Sequence, residues 1–504
     1  MNTILASNIK VDKSNLENYF DHYRKQVIGH DKYFEGPYGS KKIVYADWTA
    51  SGRQYYPIEK LLCNEIAPFV ANTHTETNVT GSTMTIAYHK AKDIIRDHVN
   101  ASKDDILISS NSGMTGVVNK FQRILGLKIH EKFVSKIEIK ENDRPIIFCT
   151  HMEHHSNQTS WLETICRVEV INANNKGDVD LEHLKILLEK HKDRKIKIAA
   201  VTSCSNVTGI FTPYHKIAQI MHEANGLCFV DFACSAPYID IDMHPADPLQ
   251  KLDAIYFSPH KFLGGPSSSG ILIFDQDLYD NKIPDNPGGG TVDWTNPWGG
   301  HKYIDEIEAR EDGGTPSFIQ TIRVALCVNL KDQMSTTKII DREHELMDII
   351  WNKLESIDNL HILAPNHKKR LGIFSFYIDN LHFNLAVKML NDRFGIQVRG
   401  GCSCAGTYGH FLLNVTHEKS QNITSSISEG CLIDKPGWIR MSIHPTMSTM
   451  EIIFITNSIA ELALNHASWA KDYAYCIKSN EYKHKEIHCG ESGIVEGWFN
   501  EKLV

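Results

Sequence analysis

No run of about 18 consecutive apolar residues occurs in this chain of 504 residues, so no membrane-spanning helix is predicted. Residues 1–13 lack the apolar core of a signal peptide, and Asp12, Glu17 and Asp21 argue against a basic transit peptide. A cytoplasmic protein is the expectation. Positive charge is not in excess either: Lys and Arg total 53 against 61 Asp and Glu, a net charge of -8, which argues against a general nucleic-acid binder. The chain also lacks an internal repeat and an extended low-complexity tract. Its twelve cysteines need no disulfide role in a reducing compartment. What is present, 42% hydrophobic and 23% charged residues, describes a globular protein long enough for two or three domains.

The pattern along the chain divides it into four parts. Residues 1–40 read as a polar N-terminal arm ending in the turn Gly36-Pro37-Tyr38-Gly39. Residues 41–315 form a large domain, in which strand-like and helical runs alternate between 43 and 275. That alternation predicts an α/β fold with a mostly parallel sheet covered on both faces. Positions 280–314, rich in Gly, Pro and Trp, read as a long active-site loop. Residues 316–468 form a smaller α+β C-terminal domain, with a strand over 372–378, a helix over 383–394 and a last helix over 450–465. Residues 469–504 are a C-terminal extension whose aromatic and charged content suggests packing rather than disorder.

Two strand ends carry the chemistry. The apolar run Leu252-Asp253-Ala254-Ile255-Tyr256-Phe257 stops at Ser258-Pro259-His260-Lys261, leaving a lysine at the strand end. Burial lowers the pKa of an amine, and such a lysine can form a Schiff base with a carbonyl. A second apolar run, Leu227-Cys228-Phe229-Val230, ends in Asp231, after a helical stretch opened by Thr212-Pro213. Pyridoxal phosphate needs both groups: a lysine for its aldehyde and a carboxylate that keeps its ring nitrogen protonated. In parallel sheets, ligands bind where strands end. A phosphate cradle is expected at Asn111-Ser112-Gly113-Met114-Thr115-Gly116, between a strand over 105–110 and a helix over 117–125. Ser258 and His260 add donors. Within His151-Met152-Glu153-His154-His155 an imidazole could stack on the cofactor ring, and a metal site is the weaker alternative.

Taken together, these residues resemble the class V aminotransferase-fold enzymes that use pyridoxal phosphate, and the cysteine desulfurase and selenocysteine lyase group in particular, over about 42–465. The resemblance implies the transferase fold type I, a seven-stranded, mostly parallel sheet between helices, with a smaller α+β domain. It implies that Lys261 is the Schiff-base lysine, Asp231 the partner of the ring nitrogen and His154 the stacking histidine. Asn206 matches the asparagine near the ring hydroxyl, while Met114, Thr115, Ser258 and His260 match phosphate contacts. Thr291, in Gly288-Gly289-Gly290-Thr291, resembles a residue that reaches the phosphate of the other subunit, which implies a homodimer.

The second half carries the substrate clue. Arg440 matches the arginine that grips the α-carboxylate of an amino acid, a task suited to its planar fork. The loop Arg399-Gly400-Gly401-Cys402-Ser403-Cys404-Ala405 lies where desulfurases keep their nucleophile. Counting from Arg399 puts Cys404 on that position, with Cys402 as the alternative. The implied reaction converts L-cysteine to L-alanine and leaves sulfur as a persulfide on the protein, to be passed to a sulfur-acceptor partner. A class V aminotransferase or a C–S lyase on another amino acid is the alternative within pyridoxal phosphate chemistry. A non-catalytic scaffold for sulfur transfer is the alternative outside it. The chain departs from the family pattern in having Cys234 where Asp-x-Ala-Gln is usual, and in the long segment 407–436 between the cysteine loop and Arg440.

Overall fold

The computed structural model describes residues 14–73, 77–486 and 491–503. Seven strands form the central sheet: β1 (Asp105–Ser110), β2 (Ile146–Thr150), β3 (Arg167–Ile171), β4 (Lys197–Thr202), β5 (Leu227–Asp231), β6 (Ala254–Phe257) and β7 (Gly270–Asp275). Their spatial order is β1-β7-β6-β5-β4-β2-β3. Only β7 runs against its neighbours. The strands are apolar on both faces, as a sheet buried between two helical layers requires. Phe148, Val230 and Ile255 enter one core, and Ile147, Phe229 and Tyr256 enter the other.

The smaller domain carries an antiparallel sheet in the order Leu360–Ile362, Ile373–Ile378, Trp438–Ser442, Arg399–Gly401. Helices Thr336–Leu354, Phe383–Phe394 and Thr449–Trp469 cover it. The helix over 383–394 has the predicted bounds. The last helix is longer than expected, because Ser448 and Glu451 form a capping box that fixes its start while its apolar face runs on toward Trp469. The helix predicted from Thr212-Pro213 begins at Tyr214, with Pro213 outside the first turn.

Near the N-terminus, helix Asn15–Arg24 is pinned to the small domain by a buried Glu17–Arg342 ion pair. Further on, Val44–Tyr45 pairs in parallel with Ile396–Gln397, and Asp47 bridges to Ser442. That stitching brings a segment from the start of the chain beside Arg440. Segment 407–436 holds helices Gly406–Leu412 and His417–Ser428, and the C-terminal extension holds the hairpin Tyr473–Cys476 with Glu481–His484. Among the described residues, no helix is long and apolar enough to cross a membrane.

Candidate active site

β6 stops at Phe257, and Lys261 lies beyond it on the 3-10 turn Pro259–Lys261 rather than at the strand end itself. Pro259 has no N–H to continue a sheet ladder, so the chain must turn. The turn is locked on both sides. Gly52 N–H donates to the His260 carbonyl at 2.9 Å. A Cβ at Gly52 would meet the Phe262 carbonyl oxygen at 1.9 Å, and one at Gly265 would meet that of Pro259 at 1.9 Å. No hydrogen bond or ion pair engages Lys261 Nζ among the described residues. Burial pushes its pKa below the ordinary lysine value, against the opposing pull of Cys234 and Asp231. The charges of Arg440 and Arg399 add to the lowering. Burial that disfavours the charged form makes the amine a better nucleophile.

Asp231 ends β5, is 3% exposed and accepts the Ala233 N–H at 2.8 Å. Burial raises its pKa to about 6, with Ala233 and Lys261 acting the other way. His154 caps helix His155–Leu162, and its Nδ1 accepts the Ser156 N–H at 3.1 Å. That bond leaves the ring proton of the neutral tautomer on Nε2. Burial, then the neighbouring positive charges, push the His154 pKa down to about 3, so the ring is neutral at ordinary pH. Beneath it, buried Glu153 accepts from Thr150 N–H, Thr150 Oγ1, Thr202 N–H at 2.9 Å and Asn157 Nδ2 at 2.8 Å. This network fixes the turn that presents His154.

The anion cradle forms at helix Gly113–Ile124, which starts one turn earlier than predicted because Gly113 adopts φ +61°. A Cβ at Gly270 would meet Gly113 C at 2.2 Å, so β7 and the helix start touch through glycines. Met114 N–H donates to Ser258 Oγ at 3.1 Å, tying cradle to lysine turn. Thr115 is exposed at the same helix start, with its Oγ1 2.7 Å from Ser156 Oγ. Half-buried His260 has its pKa pushed down to about 4 by burial and then by Lys261.

On the other side, Arg440 is 3% exposed; its Nη1 donates to the Asn206 carbonyl at 3.2 Å and its Nη2 to Asp47 Oδ1 at 2.7 Å. Asn206 Nδ2 donates to the Ser403 carbonyl at 2.8 Å, while its buried Oδ1 has no hydrogen-bond partner among the described residues. The cysteine loop is therefore tied to the site. His155 binds it twice: its N–H donates to the Cys404 carbonyl at 2.7 Å, and its Nε2 accepts the Gly406 N–H at 3.0 Å. Ser403 and Cys404 both adopt left-handed backbone angles, φ +51° and +56°, a strained pair of the kind found at functional turns. Cys404 is exposed and Cys402 half-buried. Buried Cys234 donates its thiol to the Ser205 carbonyl at 3.8 Å, and buried Cys204 donates to the same carbonyl at 3.7 Å.

The structure thus gathers Lys261, Asp231, His154, Met114, Thr115, Ser258, His260, Asn206, Arg440 and the Cys402–Cys404 loop at one place. Thr291 lies in a separate loop, buried, with Oγ1 donating to the Gly288 carbonyl at 2.7 Å. Sequence reasoning missed Asp47, His155 as a tether, and Arg399 as a charge in the site. The tight run of histidines was the one signal available for His155. His151 serves elsewhere, edge-on to Tyr408 and Phe411.

A family model described as aminotransferase class V matches residues 44–453. The chain belongs to this family. It is therefore a pyridoxal phosphate-dependent enzyme. Among curated proteins it is 28% identical to a "Probable cysteine desulfurase" of Staphylococcus epidermidis over 385 residues, covering 76% of this chain and 87% of that one. It is 25% identical over 372 residues to a "Cysteine desulfurase" of Haloferax volcanii, covering 72% and 80%. Among solved structures, the apo cysteine desulfurase of Thermococcus onnurineus superposes with a TM-score of 0.69 at 22% identity, covering 84% of this chain and 95% of that one. A cysteine desulfurase of Escherichia coli gives 0.67 at 18%, covering 89% and 98%. These two likenesses establish the fold.

The residues present fit the cofactor. A buried lysine whose charged form burial disfavours, a buried carboxylate, a helix start packed through two glycines and an Asn206 Oδ1 with no hydrogen-bond partner among the described residues are the groups it would need.

Proposed function

We propose that this class V enzyme removes sulfur from L-cysteine, releasing L-alanine, with Cys404 as the first sulfur carrier. The observation that carries the reading is an exposed cysteine on a strained turn, tied through Asn206 to Arg440 and through His155 to the turn that presents His154. Pyridoxal phosphate, when bound, supplies an electron sink for the substrate's α-carbon. Lys261 would hold it and, once released, its amine would take and return the Cα proton. Asp231 would pair as its carboxylate with the ring nitrogen and keep that nitrogen protonated. His154, neutral and with its proton on Nε2, would stack on the ring. Arg440 binds the α-carboxylate and orients the substrate. Ser258, Thr115, His260 and the Met114 N–H, which donates to Ser258 Oγ, would hold the phosphate.

Cys404 reacts as its thiolate. It attacks the substrate's sulfur, the new S–S bond forms and the Cβ–S bond breaks. The electron pair stays with the three-carbon fragment, which takes up a proton and leaves as L-alanine. The strained turn keeps the persulfide reachable for an acceptor protein, and segment 407–436 is the docking element beside it. The same reading places the enzyme in the cytoplasm as a homodimer, with the loop carrying Thr291 reaching the neighbouring subunit's phosphate site. Exposed Trp294 and Trp298 on that loop support an interface there.

The test is product analysis with L-cysteine, pyridoxal phosphate and a thiol reductant. Equimolar alanine and sulfide are expected. Sulfide with pyruvate and ammonia identifies a C–S lyase, and turnover that requires a keto acid identifies an aminotransferase. Protein that takes up no cofactor is a scaffold.

A further inference from the structure

One ion arrangement in the site is unused by the chemistry above. Arg399 and Arg440 stand directly opposite one another on antiparallel strands. Like charges in that position destabilise a sheet. Asp47 lies between them: its Oδ1 accepts from Arg440 Nη2 at 2.7 Å and its Oδ2 from Arg399 Nε at 3.1 Å. It reaches this place because Ser442 N–H donates to the Ala46 carbonyl at 2.7 Å, and Thr49 N–H to Ser442 Oγ at 2.9 Å. Side-chain exposure is 3% for Arg440, 14% for Asp47 and 50% for Arg399. Arg399 is thus the solvent-exposed member of the pair, and its two Nη groups have no protein partner among the described residues.

Two guanidinium groups against one carboxylate leave one net positive charge. The amino acid brings one α-carboxylate to the same arginine. We propose that Asp47 is a positioning and specificity residue: it orients the arginine pair and caps the net charge of that cluster at one, so that an amino acid with a single carboxylate is accepted and one with a second, side-chain carboxylate is disfavoured. The proposal rests on Arg440 as the α-carboxylate ligand, not on cysteine as the substrate. Without Asp47, Arg399 is free to take a side-chain carboxylate, and both guanidinium groups attract anions unopposed.

The test is ligand binding to the holoenzyme, read from cofactor absorbance, with L-alanine, L-aspartate and 2-aminoethanethiol, which lacks a carboxylate. Asp47→Asn is expected to bind L-alanine roughly tenfold tighter, to gain more for L-aspartate, and to bind 2-aminoethanethiol as before. Arg399→Gln is expected to weaken both acids and spare the amine. The double variant, with net charge restored, is expected to return toward wild type; a merely structural role gives additive losses instead. Weaker L-alanine binding in Asp47→Asn, or equal change for all three ligands, overturns the proposal. Should Asp47→Asn not fold, Arg399→Gln decides: an unchanged affinity for both acids overturns it. Amino-acid binding without desulfuration sinks the cysteine reading alone, whereas no amino-acid response in any protein overturns both.

Discussion

Asp231→Asn is expected to stabilise the apoenzyme while crippling the holoenzyme. Asp231 is buried, and its pKa is raised from 3.8 to about 6, chiefly by burial. The folded apoprotein therefore binds this proton more tightly than the unfolded chain does. Its contribution to stability is fully present below about pH 4 and is lost as pH rises through about 6. A shift of this size makes ionised Asp231 cost about 3 kcal/mol at neutral pH and about half of that at pH 5. Asparagine keeps the shape and still accepts the Ala233 N–H, so the substitution removes only the charge. It also relieves Glu153, whose pKa of about 7 is raised by burial and, in part, by Asp231. Urea unfolding of apoprotein at the two pH values is the assay. The variant gains stability at neutral pH and gains less at pH 5, whereas its cofactor affinity and turnover fall because the ring nitrogen loses its counter-charge. A variant no more stable than wild type at neutral pH, or one stabilised equally at both, refutes the reasoning.

Other consequences are as direct. Lys261→Ala is expected to abolish the absorbance of bound cofactor and to lower kcat by at least about a thousandfold; a spectrum like that of wild type excludes Lys261 as the attachment point. Cys404→Ser keeps the absorbance change on adding cysteine and loses sulfide release at least about a hundredfold, while Cys402→Ser retains it; the reverse result moves the nucleophile to Cys402. His155→Ala unties the cysteine loop and is expected to lower kcat about tenfold with KM little changed, as steady-state kinetics will show. Gly270→Ala drives a methyl into Gly113 and is expected to weaken cofactor binding in a titration, with less effect on α-carboxylate binding.

Much of this site was legible because the chemistry-bearing residues sit where regular elements end. Lys261 and Asp231 follow apolar runs that have to be buried strands, and helix Phe383–Phe394 carries its bounds in its apolar period. The antiparallel direction of β7 was not legible, since a strand buried on both faces reads the same either way. The lysine's position beyond its strand followed from Pro259, a local cause. Asp47 was invisible for a different reason. It reaches Arg440 across 393 positions of sequence, and no local pattern encodes which distant strand a two-residue segment will join. The same holds for His155 and Gly406, which are 251 positions apart.

The central claim is that sulfur leaves L-cysteine onto Cys404. Mass spectrometry of the peptide holding Cys402 and Cys404, after one turnover without reductant, measures this directly. The account predicts a peptide heavier by one sulfur atom, with the added sulfur on Cys404 and one alanine released per persulfide. Alanine or pyruvate formed while that peptide stays unmodified would contradict it.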